Sequence, residues 1–310
     1  MTKRLRNSLI LAKNEVTSGV DPTPTGAANA ILIRNMTLSP LQGDTVSRDL
    51  IRPYLGNSEQ LLAGVHNRLE FEVELAGSGT AGDAPGWGPV LRSCGFAETV
   101  TAGTDVKYAP VTDDVETITF YVLIDGLFHK MTGALGTVQF DISAKAIPFM
   151  KFAFVGAYHD VVDQALPPTI DYTKFLTPLV ASKQNTPAWA LHGKSNCLQS
   201  LQIDMANSTP WRSLIGCEGT DLTDRKPTGS VSMELGAVAE KDWWKAILDG
   251  TSAPLSITHG KTAGNIVKLD APKAQLTNIQ YADQEGVLMM NSQLTINPNV
   301  GNDELVITVK

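Results

Sequence analysis

The chain has 310 residues, 43% of them apolar, enough for one large domain or two ordinary ones with a real core. Its net charge of −7 is shared evenly between the two halves, so no basic footprint marks a nucleic-acid clamp; a channel through which DNA slides without sticking stays possible. Cys94, Cys197 and Cys217 are odd in number and widely spaced with no C-x-x-C, which argues against a disulfide framework or zinc site and for reduced thiols. Near the N-terminus, Lys3, Arg4 and Arg6 precede an apolar stretch, residues 8–12, far shorter than a secretory segment. Later apolar runs such as 152–157 are too short to span a bilayer, so the expectation is a protein without membrane insertion that folds in a reducing cytoplasm.

Residues 1–27 read as an irregular arm, broken by Asp21-Pro22-Thr23-Pro24-Thr25-Gly26. A first strand covers 30–38, and a long polar segment, 39–67, follows. Residues 68–76 then alternate, with Leu69, Phe71, Val73 and Leu75 on one face and Glu70, Glu72 and Glu74 on the other. That period of two predicts a half-exposed antiparallel strand. A Gly-rich loop leads to a short helix over 88–94, stopped by Gly95. Strands are predicted near 106–109 and 117–124, with Asp125-Gly126 as a hairpin turn into 127–131, then at 138–144 and 149–158. Residues 160–190 are Pro-rich and aperiodic and read as a connector. Beyond it, the chain predicts a strand at 198–205 and a polar loop over 206–228. Next come a strand at 230–238 and a helix at 242–248 stopped by Gly250. Strands near 255–259, 266–269, 274–281 and 287–296 close the pattern, with Gln284-Glu285-Gly286 turning before the last.

Strand, long loop, strand, short aromatic-bearing helix, then several strands therefore occurs twice. Residue identity between the halves is very low, so the repetition is one of element order and points to a diverged duplication. The expected organisation is an arm (1–27), a first domain (28–160), a connector (161–190), a second domain (191–298) and a tail (299–310). The arm and tail carry too few apolar residues to fold alone and are expected to gain order on neighbouring subunits.

Chemistry is thinly represented. Gly77-Ser78-Gly79-Thr80-Ala81-Gly82 fits G-x-G-x-x-G, but a dinucleotide site needs a strand buried on both faces and a full helix starting at the glycines. Here the strand carries three glutamates and Asp83-Ala84-Pro85-Gly86 interrupts, so a flexible strand-to-helix loop is the better reading. His66, His129, His159, His192 and His259 form no local metal motif, and no nucleophile elbow is present. Glu70, Glu72 and Glu74, about 7 Å apart along one face, could be a solvated outer face, the lining of a wet channel, or the carboxylates of a hydrolase. No catalytic, cofactor-binding or metal residue is assigned.

Several stretches resemble the tail tube proteins of long-tailed bacteriophages. They are Leu11-Ala12-Lys13-Asn14-Glu15 with Gly19-Val20-Asp21-Pro22-Thr23-Pro24, Ile51-Arg52-Pro53-Tyr54-Leu55-Gly56, the run from Phe71 to Gly82, and Trp87 to Phe96. The resemblance covers about residues 5–155; the second half matches only in layout. It implies a mainly β fold of two tandem tube-type β-sandwich domains, each with one short flanking helix, whose inner sheets join on assembly into a closed β-barrel. The function implied is a non-enzymatic virion protein, assembled in the host cytoplasm, whose rings stack into a conduit for DNA ejection. Expected partners are other copies of the chain, with a trimeric ring favoured over a hexameric one, and the tape measure protein and DNA in the lumen. Tail terminator and baseplate proteins are expected at the ends. Glu70, Glu72, Glu74 and Glu234 are expected to face the lumen, and Asp49, Arg52, Tyr54, Asp224 and Arg225 to lie in loops contacting the adjacent ring. A tail adaptor, baseplate or host-binding protein with the same sandwich is the alternative.

Overall fold

The computed structural model describes residues 2–310. In chain order, the first half carries β1 (Ser8–Asn14), α1 (Gly26–Asn29), β2 (Ala30–Ile31), β3 (Arg34–Ser47), β4 (Gln60–Glu74), α2 (Gly88–Arg92), β5 (Phe96–Thr101), β6 (Asp105–Pro110), β7 (Ile118–Ile124), β8 (Leu127–Ser143), β9 (Phe149–Tyr158) and β10 (Val162–Asp163). The second half carries β11 (Ala188–Leu191), β12 (Leu198–Asp204), β13 (Asn207–Ser208), β14 (Trp211–Leu214), β15 (Cys217–Thr220), β16 (Asp224–Arg225), β17 (Thr228–Glu234), α3 (Trp243–Leu248), β18 (Ser252–His259), β19 (Val267–Leu276), β20 (Gln280–Gln284), β21 (Val287–Asn297) and β22 (Val306–Val309). The fold is mainly β, as the alternating pattern predicts.

The hairpin turns form where the turn chemistry requires them. Asp125 and Gly126 have φ of 45° and 88°, and Glu285 and Gly286 have 54° and 84°, so both two-residue loops place two residues in the left-handed region. They join β7 to β8 and β20 to β21. Gly95 and Gly250, both at positive φ, stop the two longer helices as expected. The Asp242 side chain caps α3 by accepting from the Lys245 amide at 2.8 Å.

Eighteen strands belong to one sheet that folds over a shared core. Eight of them lie side by side in the order β3-β4-β9-β8-β12-β17-β21-β20, all antiparallel. The first four come from the first half and the last four from the second, and the β8–β12 pairing joins them. Opposite this layer, Phe120 of β7 packs on Phe71 of β4 and Phe154 of β9, with ring centroids 5.8 and 4.8 Å apart. Over the second half, Leu255 and Ile257 of β18 and Leu269 of β19 belong to the same buried cluster, so apolar packing is continuous between the halves.

The pairing pattern recurs. β1 pairs with β7, and β11 with β18. The order β3-β4-β9-β8 is repeated by β12-β17-β21-β20, and in both halves the second strand leads to a short helix. The strand after β9, β10, pairs with the start of β8; the strand after β21, β22, pairs with the start of β19. The β5–β6 hairpin has no counterpart among the described residues of the second half. Its β6 pairs with β22, which closes a second seam between the halves.

Four expectations need correction. The N-terminal 27 residues are not a free arm: β1 buries Leu9, Ile10, Leu11 and Ala12, and Glu15 anchors its end. The tail is not free either, since Leu305, Ile307 and Val309 are buried. In both segments a few apolar residues suffice because the partners are already in place. The polar segment 39–67 is largely a long hairpin of β3 and β4, whose exposed ends lack the apolar alternation that marks a strand. Finally, the predicted strands at 127–131 and 138–144 are one strand, β8, with a register shift between Thr132 and Leu135.

Candidate functional site

The eight-stranded layer has two different faces. One is apolar and buried: Leu69, Phe71, Val73, Phe140, Phe152, Phe154, Leu201, Ile203, Val231, Met233, Met290 and Leu294. The other is polar and accessible. In the second half it is almost uncharged, with Ser200, Gln202, Ser230, Ser232, Asn291 and Gln293 side by side. Lys151, Asp141, Gln202 and Ser230 form a hydrogen-bonded row across four strands: Lys151 and Gln202 donate to Asp141 at 3.5 and 3.0 Å, and Ser230 donates to Gln202 at 3.4 Å. This row crosses the seam between the halves.

The acidic strand lies on this polar face. Glu72 receives Arg34 at 2.7 Å and Asn35 at 2.9 Å, and Glu70 receives Arg68 at 2.7 Å. Arg34 also stacks over the Phe149 ring. Glu70 and Glu72 thus have basic partners; that of Glu72 is one the sequence pattern did not reveal, because Arg34 comes from another strand, as does Lys151, which pairs with Asp141. Glu234 ends β17 on the same face. Six carboxylates (Glu70, Glu72, Glu74, Asp141, Asp204, Glu234) and three cations (Arg34, Arg68, Lys151) stand on these positions, three negative charges in excess.

Both edges of the layer are open. Among the described residues β3 pairs only with β4, and β20 only with β21. Open antiparallel edges present unpaired backbone donors and acceptors, a template for another strand.

Two loops project from corresponding places, each between the first and second strand of its half. The tip between β3 and β4 exposes Leu50, Ile51, Tyr54 and Leu55; Asp49 and Arg52 lie on it. The β14–β15 hairpin exposes Leu214 and Ile215 at its tip, and its Trp211 stacks on His66 at 5.7 Å. The remaining two loop candidates lie elsewhere. Asp224 is exposed and pairs with Lys226 at 2.8 Å. The Arg225 guanidinium is spent inside the chain, donating to Glu304 at 3.1 Å, Asn302 at 3.0 Å and the Val111 carbonyl at 2.9 Å. Sequence reasoning missed this buried pair because Glu304 lies in the segment taken for a tail.

The G-x-G-x-x-G loop is packed against the second half. The Gly77 amide donates to the Asn265 side chain and the Gly79 amide to the Gly264 carbonyl, both at 2.9 Å. A Cβ on Gly77 would sit 2.1 Å from the Gly264 carbonyl oxygen. These glycines therefore serve close backbone approach.

No group of three or more His, Cys, Asp or Glu among the described residues is placed to hold a metal. Burial pushes the pKa of His129, His159, His192 and His259 below the usual imidazole range and that of the Cys94 thiol above its own. His192 donates its Nε2–H to the Ala274 carbonyl at 2.7 Å, and His259 binds the Leu179 carbonyl through Nε2 and Thr186 through Nδ1. Both are neutral rings held by structural partners. Among the described residues no helix is long and apolar enough to cross a membrane.

Residues 6–301 match a protein-family model described as phage tail tube protein. The match runs through the second half, where the wording of the sequence carries no resemblance. No curated protein matches the chain.

Proposed function

The chain belongs to the phage tail tube protein family, a structural component of the virion's tail, and from that premise we propose that three chains form each ring of a tube that conducts DNA. The observation that carries this reading is the eight-stranded layer: its strand order is repeated once, one face is buried, and both edges are open. Six copies of a four-strand unit would be supplied by three chains, because the two halves of each chain already stand edge to edge at the β8–β12 seam. Strand number, tilt and stagger are linked in a closed barrel, so a chain with doubled strands needs half as many copies to close the same circle. A hexamer whose second half decorates the outside fits poorly with β12, β17, β21 and β20 continuing the layer of the first half.

In this arrangement the polar face lines the lumen, with Glu70, Glu72, Glu74 and Glu234 on it. Basic walls would hold DNA by counterion release, whereas a hydrated, mildly acidic wall lets it pass. The apolar tips, residues 48–59 with Asp49, Arg52 and Tyr54, and the β14–β15 hairpin, dock on the adjacent ring; exposed apolar groups of this kind mark contact surfaces. The tape measure protein and then DNA occupy the lumen, terminator and baseplate proteins cap the ends, assembly occurs in the host cytoplasm, and the chain catalyses no reaction. Purified protein imaged by electron microscopy, with scanning-transmission mass per length, tests the proposal. Hollow rods with three chains per ring are expected. Six chains per ring would overturn the trimer, and absence of rods under all assembly conditions would overturn the tube.

A further inference from the structure

The two open edges of the layer are not arbitrary ends. The repeated strand order makes β20 the counterpart of the inner part of β8, and β3 the counterpart of β12. Equivalent hydrogen bonds fix the correspondence of the second and third strands: the Leu75 amide donates to the Pro148 carbonyl at 3.0 Å, and the Leu235 amide to the Leu288 carbonyl at 3.2 Å. Glu74 faces Phe149 one step earlier, and Glu234 faces Met289. Following the ladders outward, Gln280 stands where Gln139 stands, and Ala282 where Asp141 stands. On the other side, Thr37 stands where Gln202 stands, and Ser39 where Asp204 stands.

Inside the chain, β8 and β12 pair with Gln139 opposite Asp204, Phe140 opposite Ile203, Asp141 opposite Gln202 and Ile142 opposite Leu201. We propose that β20 of one copy pairs antiparallel with β3 of a second copy in the same register, with Gln280 opposite Ser39, Tyr281 opposite Leu38, Ala282 opposite Thr37 and Asp283 opposite Met36. The proposal rests on the ring reading and adds which edges meet and in what register.

Side-chain chemistry agrees with this register at three of the four pairs, while the exposed Asp283 stands beside Met36 at the margin of the apolar face. On the apolar side, Tyr281 is left 59% exposed in the single chain, while Leu38 and Met36 are only partly covered and pack on the core. Pairing them covers the ring edge of Tyr281 with aliphatic carbon, as Phe140 is covered by Ile203 at the inner seam. On the polar side, Gln280, Ala282, Thr37 and Ser39 continue the uncharged row of Ser230, Gln202 and Gln293. The faces of both strands are fixed by β21 and β4, so a slip of one residue would set Tyr281 opposite Thr37 or Ser39 of the other face, against the pleat.

The test uses the full chain in a Cys197→Ser, Cys217→Ser background, assembled into tubes and then mildly oxidised. Residues directly opposite in an antiparallel pair have Cβ atoms about 5 Å apart, whereas residues displaced by four along the strand are roughly 13 Å apart. Ala282→Cys with Thr37→Cys should give covalent dimers and trimers, with nothing larger, on a non-reducing gel. Gln284→Cys with Ser39→Cys should stay monomeric. A reversed pattern, or no crosslink in tubes that microscopy shows intact, would overturn the register and leave the tube reading standing. A failure of the unsubstituted chain to assemble would overturn both. Hydrogen exchange on the unsubstituted chain is a second measurement that needs no cysteine: peptides covering 36–39 and 280–284 should gain at least tenfold protection on assembly. Unchanged exchange there would also overturn the proposal.

Discussion

Glu15 shows how one polar residue can hold a segment that composition alone leaves loose. It is 7% exposed, and its carboxylate accepts from the Thr117 and Thr119 hydroxyls at 2.7 and 2.5 Å and from the Gly19 and Gly133 amides at 2.6 and 2.8 Å. Four donors from three segments converge on a group that the sequence places in the middle of a presumed arm. Glu15→Ala strands buried donors, and a cost on the order of 3 kcal/mol is expected from orphaned charge-assisted bonds. Glu15→Gln should fall between, since an amide keeps one acceptor oxygen. Urea midpoints of the two variants and the parent check this; an alanine variant within about 0.5 kcal/mol of the parent would show that Glu15 holds nothing. Arg225 teaches the same lesson. Its type and its place in a polar loop suggested an external contact, yet its partner Glu304 is 79 residues away and equally buried.

At the scale of elements, the C-terminal strand β22 is the clearest case of a short segment with a large effect. It pairs with β19 on one side and β6 on the other, and so ties the outer strands of the two halves together. Ile307 is fully buried in it. Truncating a side chain there loses transfer free energy and leaves a cavity, so Ile307→Ala should destabilise by about 3 kcal/mol. Val300, 84% exposed, should tolerate alanine within about 0.5 kcal/mol. Thermal unfolding of both variants checks the pair, and equal melting temperatures would mean that the seam does not matter for stability. The segment reads from sequence as a tail because its few apolar residues have no visible partner. The same limit applies to β1, whose partner strand β7 lies more than 100 residues away, and to the exposed ends of β3 and β4, where no buried face imposes a period of two.

For the whole molecule, the proposed ring makes the polar face a wall that DNA passes. Three of its six carboxylates, Glu70, Glu72 and Asp141, have basic partners, so half of the negative charge is offset and the wall is only mildly repulsive. Replacing Glu70, Glu74 and Glu234 by Arg would change the balance from three negative to three positive charges on these positions in each chain. Tubes of that variant are expected to retain short duplex DNA at low salt and to release it steeply as salt rises, while unsubstituted tubes retain none, as counterion release requires. A filter-retention or co-sedimentation assay across a salt series checks this. Equal retention by both tubes would place these side chains outside the lumen.

Local chemistry determined much of this protein. Alternation of Leu69, Phe71 and Val73 with glutamates defined a half-buried strand, Asp125-Gly126 and Glu285-Gly286 defined hairpins, Gly95 and Gly250 ended helices, and the twofold element order was visible without residue identity. These signals are local because they depend on a side chain's own φ preference or on a face shared by near neighbours. The tertiary structure alone decided which strands stand side by side, that β8 meets β12, that both terminal segments hold core strands, and that Glu72 of the acidic row is paired with Arg34. Those outcomes depend on partners tens to hundreds of residues away, and a strand's sequence encodes which face is buried but not which edge it joins.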